Sequence, residues 1–398
     1  MADKIKSWLL NNLDLVFSVL RWFKPNLVIK GQALITCFDD VQEVLSRNDV
    51  FHVPYAEKME KVTNGSNFFL GMQETPTYTR DVSNMRLTVR RDDIPDKIVP
   101  FIEKTSEELL SKSSGRIDIV HELTRVVPTA LVGEYFGAPG WDQNEFTDAA
   151  TSLFAYLFYP DDPALEKAAL KVATTVREYL DQTIADRKRQ RGGCDDVLER
   201  CLILQDSNLP GMSDLDIRNN LIGLITGAIP TTSKCAADVL NYLLDNPDLL
   251  AEAQTAALSN NNPLIYRYVL ETLRLKPFAA GIQRICVEDY IVAKGTLRRA
   301  KIPKGTNVLA ATQSAMMDHR KINQAKTFRL DRPDYHYMHF GYSLHSCFGK
   351  YINAVQIPGI VKSVLKQPGL RRAPGDAGIM TNSGPGPFPT HLVLEFDQ

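Results

Sequence analysis

Phe340-Gly341-Tyr342-Ser343-Leu344-His345-Ser346-Cys347-Phe348-Gly349 is the stretch on which the reading of this chain turns. One cysteine stands between glycines, with a histidine two residues before it. A helix-like run over 350–365 follows directly. That order presents a thiol at the mouth of a loop, close to a helix N-terminus. Backbone N–H groups and the helix dipole favour an anion there and lower a thiol's pKa. A cysteine in a glycine-rich loop says little alone, so the argument rests on its partners along the chain.

Composition narrows the field. The 398 residues could form two or three domains or one large single-core fold. A hydrophobic share of 44% and a charged share of 23% describe an ordinary globular protein. A formal net charge of −1, with no long basic run, argues against a nucleic-acid partner. Six scattered cysteines form no Cys-x-x-Cys pair, so neither a disulfide framework nor a zinc site is indicated and the cytoplasm is the expected location.

Alternating apolar and polar residues predict a strand within 27–37, and a helix follows over 39–46. Helical patterns then cover 98–112, 121–136, 144–158, 163–189, 213–246, 247–258 and 263–275. Short β-like pieces come later, at 282–287, 290–293, 307–310 and 391–396. No repeat or low-complexity linker divides the chain, so the reading is one domain over 1–398, mainly α with a smaller β region. Residues 1–25 read as an N-terminal amphipathic helix. Asn11, Asp14, Ser18 and Arg21 form a narrow polar stripe on it, and Pro25 ends it. Polar interruptions and the lack of about 20 consecutive apolar residues argue against a spanning segment. Packing on the body of the fold is favoured over an interfacial helix touching lipid.

A thiolate held as Cys347 could be is a good axial ligand for haem iron. The loop resembles the cysteine-ligand loop of the cytochrome P-450 family, Phe-Gly-x-Gly-x-His-x-Cys-x-Gly, with Ser343 where the second glycine usually stands. Other segments resemble that family in the same order. Glu271-Thr272-Leu273-Arg274 matches its Glu-x-x-Arg helix, and Glu and Arg three apart share a helix face. Phe328-Arg329-Leu330-Asp331-Arg332 resembles its Phe-containing stretch, but Thr327 occupies the usual arginine position, so the charge network around Glu271 is expected to be rewired. Gly227-Ala228-Ile229-Pro230-Thr231-Thr232 matches the oxygen-binding helix, with Thr231 at the alcohol position and Pro230 where the acid is usual. Pro230 cannot donate to the Thr226 carbonyl, so a kink is expected there. Gly71 to Arg80 resembles the start of the helix at the haem edge, with Tyr78 in the usual histidine position and Val82 in place of an arginine.

The resemblance implies a cytochrome P-450 fold of the soluble bacterial type, with haem b (iron protoporphyrin IX) between the long oxygen-binding helix and the cysteine-ligand loop. Cys347 is then the metal ligand. Phe340 and Gly349 frame it, and His345 and Arg284 contact the propionates, an Arg being suited to a carboxylate by its bidentate geometry. Arg80, Arg86 and Tyr78 are further haem contacts in this reading, and Gly227, Pro230, Thr231 and Thr232 are the catalytic-side residues. The implied activity is a monooxygenase placing one oxygen atom of O2 into an apolar small molecule, with electrons from a ferredoxin/ferredoxin reductase or similar donor. A peroxygenase or hydroperoxide-converting enzyme is the alternative, favoured by Pro230 in place of the acid. Apolar runs at 67–70, 154–158, 221–226, 278–281 and 385–388 are the expected pocket walls.

Overall fold

The computed structural model describes residues 12–382 and 386–397. It is mainly helical with small sheets, as the sequence pattern predicts. Residues 1–11 of the expected N-terminal helix lie outside the described residues; its described part is Leu13–Phe23. The chain forms two compact units. One comprises residues 1–54 with 270–348, and the other residues 55–269 with 349–398.

The first unit is organised by a five-stranded sheet. Its strands are β1 (Asn26–Ile29), β2 (Gln32–Ile35), β3 (Phe51–His52), β4 (Ile282–Cys286) and a later one. Two more strands, β5 (Tyr290–Val292) and β6 (Ala300–Ile302), pair only with each other. With β7 (Asn307–Ala310) the sheet runs in the order β1-β2-β7-β4-β3. Only β2 and β7 are parallel. The alternating stretch read as one strand is a hairpin. Lys30 and Gly31 both take positive φ, at 47° and 75°, the signature of a two-residue I′ turn. Ile35, Phe38, Val41, Leu45, Phe51 and Val308 bury the sheet against the helix Phe38–Ser46.

Beside that sheet lies a buried charge network. Glu271 and Arg274 are both fully buried near the end of the helix Asn262–Leu275. Arg274 donates to the Glu271 carboxylate at 2.9 and 2.7 Å and to the carbonyls of Met316 and Ala325. Arg332 donates to Glu271 at 2.9 Å, and the Arg329 backbone N–H and the Tyr337 hydroxyl complete the set. The rewiring expected at Thr327 is thus specific. Arg332 supplies the second guanidinium, and Thr327 contributes only its carbonyl, which accepts from Arg332 at 2.9 Å. Burial alone would raise the carboxyl's pKa, but the two arginines outweigh it and hold Glu271 below its ordinary value, hence charged.

The second unit is helical, with one three-stranded sheet in the order Arg116–Asp118, Val393–Glu395, Arg371–Arg372. Its longest helix, Asp214–Leu244, begins at the predicted capping box. Ser213 Oγ accepts from the Asp216 N–H, and the Asp216 carboxylate accepts from the Ser213 N–H. The helix continues through Pro230. Helices Ala56–Thr63 and Val197–Asp206 are additional to the sequence reading; both are short, at eight and ten residues. Among the described residues no helix is long and apolar enough to cross a membrane.

Glu271→Gln would leave Arg274 and Arg332 buried without a neutralising anion. The expected cost is about 3–5 kcal/mol, seen as a lower urea midpoint with an unchanged slope.

Candidate functional site

The cysteine loop belongs to the first unit. Cys347 is exposed, and its N–H donates to the Phe340 carbonyl at 2.7 Å, so the segment 340–347 closes on itself. Gly341 takes φ +74° inside this loop. Ser343 takes φ +62°, a left-handed conformation that L residues adopt at a cost. The departure from the glycine pattern is therefore one of side chain and not of backbone shape. The Ser343 carbonyl then accepts the Ser346 N–H at 3.1 Å, which turns the chain toward the cysteine.

Arg284 on β4 is buried, at 3% exposure. Its charge acts on His345, whose imidazole is pushed down to about 4 by burial first, then by Arg284 and His52. His345 is consequently neutral at pH 7, while Arg284 carries positive charge. This pairing, found on a strand and a loop sixty residues apart, suits the carboxylate tails of a bound group. An exposed thiol beside it suits a soft metal.

The helix-borne residues belong to the second unit. Along the otherwise buried middle of Asp214–Leu244, Leu224, Gly227, Ala228 and Thr231 remain partly accessible, a single face at spacings of three and four. A Cβ added to Gly227 would meet nothing within 4 Å, so open space borders this face. The Thr231 hydroxyl donates to the Gly227 carbonyl at 2.5 Å, leaving its lone pairs to accept from that space. Thr232 is different. It is fully buried and donates to Asn353 Oδ1 at 2.8 Å on the helix Lys350–Leu365. Asn353 gave no signal in the sequence. Pro230 lacks an N–H, so the ladder bond to the Thr226 carbonyl is not made, and among the described residues the buried Thr226 Oγ1 has no hydrogen-bond partner.

Thr75 caps the helix Pro76–Thr88 by accepting the Tyr78 N–H at 3.1 Å. Tyr78 is buried, which raises its pKa, while Arg86 opposes that rise. Residues 78 and 86 share a helix face at two turns' spacing. Arg80 points elsewhere: it donates to Asp81 at 2.7 Å and packs at the Gly211 turn. Gly349 is the N-cap residue of Lys350–Leu365 and accepts the Asn353 N–H through its carbonyl.

Two pairs of the apolar runs meet within this unit. Phe68 fills the space beside Gly223, and Phe154 meets Phe388 edge to face at 5.7 Å. Position 385 of the last run lies outside the described residues. The run at 278–281 belongs to the first unit.

The family model described as Cytochrome P450 matches residues 23–381. This chain belongs to the cytochrome P450 family. Its fold implies a haem ligated by a cysteine thiolate, and the donor set described above fits one: a thiol, a buried cation and a neutral imidazole. Nocardicin C N-oxygenase of Nocardia uniformis subsp. tsuyamanensis is 26% identical over 82% of this chain and 84% of its own length. Psi-producing oxygenase A of Emericella nidulans is 23% identical over 94% of the chain. The chain spans only 40% of the length of that relative. Among solved cytochromes P450, P450BioI in complex with an acyl carrier protein superposes with a TM-score of 0.83, at 18% identity, over 98% of this chain and 100% of that one. At that identity the likeness is one of fold.

Ser343→Gly should relieve about 1–2 kcal/mol of left-handed strain and lose about 0.4–1 kcal/mol through a freer unfolded chain. A net gain of about 0.5–1 kcal/mol in urea unfolding is expected.

Proposed function

We propose that this cytochrome P450 is a haem-thiolate monooxygenase that places one oxygen atom of O2 into an apolar small molecule. The observation that carries the reading is the self-closed loop that presents Cys347, exposed, two residues after His345, on which the buried cation Arg284 acts. Cys347 would hold the iron of haem b. Arg284 and His345 would hold propionates. Arg86, with Tyr78 on its face of the helix, is the better further contact, since Arg80 is already engaged by Asp81. When bound, the haem supplies the activation of oxygen that no side chain can provide.

The chain's own residues handle substrate and protons. In the balanced reaction one oxygen atom enters the substrate and the other leaves as water, which consumes two electrons and two protons. Electrons would come from a ferredoxin/ferredoxin reductase or similar donor. Thr231 Oγ1 can accept a hydrogen bond from water at the open face by Gly227 while donating to the Gly227 carbonyl. Thr232, turned toward Asn353, positions the helix and takes no proton. The aromatic contacts around Phe154 and Phe388 favour an apolar substrate. The names of the relatives, an N-oxygenase and a psi-producing oxygenase, fit oxygen insertion.

Pro230 favours a second reading, a peroxygenase or hydroperoxide-converting enzyme. No carboxylate occupies the position before Thr231, and a peroxide substrate already carries the electrons that O2 would need. Its oxygen–oxygen bond therefore makes a smaller demand on proton delivery.

Cys347→Ser should abolish the thiolate-type absorption band of the reduced carbon monoxide complex; its persistence would remove Cys347 as the ligand. Pro230→Asp should raise turnover driven by O2 and a reductase relative to turnover driven by hydrogen peroxide. An unchanged ratio would show that the missing acid does not limit the O2 reaction.

A further inference from the structure

The helix Leu13–Phe23 lies on the first unit in an unusual orientation. A surface helix ordinarily buries its apolar stripe and shows its polar one. Here the C-terminal part of the polar stripe turns toward the body, while Asp14 at its start stays exposed. Arg21 is buried and donates to the Ser314 carbonyl at 3.1 Å and to Ser314 Oγ at 2.7 Å. Asp14 accepts from Gln313 at 2.8 Å, and Asp14, Ser18 and Arg21 line one side of a groove with Ser314. Phe17 is the one large apolar side chain of the helix that is buried.

The outward arc is wholly apolar. Leu15, Val19, Trp22 and Phe23 are exposed by 54, 47, 64 and 84%. At 100° per residue they occupy one sector of about 100°. Cations rim its C-terminal end. The Arg320 guanidinium lies 5.5 Å from the Trp22 ring, His319 stacks on that ring at 4.9 Å, and the exposed Lys24 follows Phe23.

We propose that this face docks on an anionic bilayer surface, with Leu15, Val19, Trp22 and Phe23 entering the headgroup–acyl boundary and Lys24 and Arg320 at headgroup level. The charge pattern and size decide for lipid. Aromatic rings beside cations belong at a membrane interface, where the ring is apolar and its surroundings wet. An eleven-residue helix is about 16 Å long, and a strip one helix wide falls well below the roughly 800 Å² per partner of a stable protein dimer. The helix lies on the surface in this reading and does not span, consistent with the hydropathy of the described helices.

The test is co-sedimentation of the full chain, haem-loaded, with vesicles of equal parts phosphatidylglycerol and phosphatidylcholine, and with phosphatidylcholine alone. Binding to the anionic vesicles should exceed binding to the neutral ones and should weaken with salt. The double variant Val19→Ser/Phe23→Ser should partition on the order of tenfold more weakly. Both side chains are exposed, so an unchanged melting temperature will show that the fold is kept. Independently of that variant, Trp22 fluorescence should shift to the blue on anionic vesicles, and the shift should be lost in Trp22→Phe. Equal partition of parent and double variant, or no vesicle binding by the parent, would overturn the proposal. So would a parent that sediments as a dimer without lipid and becomes monomeric on Val19→Ser/Phe23→Ser, since the face would then join two copies of the chain.

Discussion

A buried carboxylate organises the first unit. Glu271 is fully enclosed, and an isolated charge there would be too costly to keep. Two guanidiniums, a backbone N–H and a tyrosine hydroxyl converge on it from residues 274, 329, 332 and 337. Arg329, Arg332 and Tyr337 tie different parts of an irregular segment to the helix that carries Glu271 and Arg274. Arg274 and Arg332 spend their remaining donors on carbonyls of residues 316 to 327. The segment that leads into the cysteine loop has little regular structure of its own, so this convergence is what gives it a shape. The thiol follows a segment shaped by a charge 76 residues upstream of it.

The loop itself then needs little. One hydrogen bond from Cys347 to Phe340 closes it, and two left-handed residues provide the turns. In the second unit a comparable economy separates two adjacent threonines. Residues 231 and 232 differ by 100° around a helix, so one faces open space and the other a buried asparagine. Pro230 sits between these roles and the Thr226 hydroxyl, which has no hydrogen-bond partner among the described residues. The helix carries a threonine with a proline before it, and the two readings proposed for the source of oxygen rest on that combination.

Much of this was legible in sequence where the signal is local. The capping box at Ser213, the prolines at 163 and 247 and the glycine-framed cysteine mark features that a few neighbouring residues determine. Legibility failed where a partner comes from afar. Strands of two or three residues such as Phe51–His52 and Arg371–Arg372 exist only because another strand accepts them. Lys30 hid a hairpin because lysine is not a usual residue at a left-handed turn position. Arg80 and Arg86 were equal candidates until Asp81 and the Gly211 turn engaged the first.

By itself the sequence determined the family and the mainly helical class, because motif order and helical periodicity are properties of neighbours along the chain. Only the tertiary structure decided which arginine completes the Glu271 network, which threonine is available, and which way the helix Leu13–Phe23 turns. An amphipathic pattern specifies two faces but not which one meets the body. For this helix the buried Arg21 found its acceptors at Ser314, and the apolar face was left to the outside.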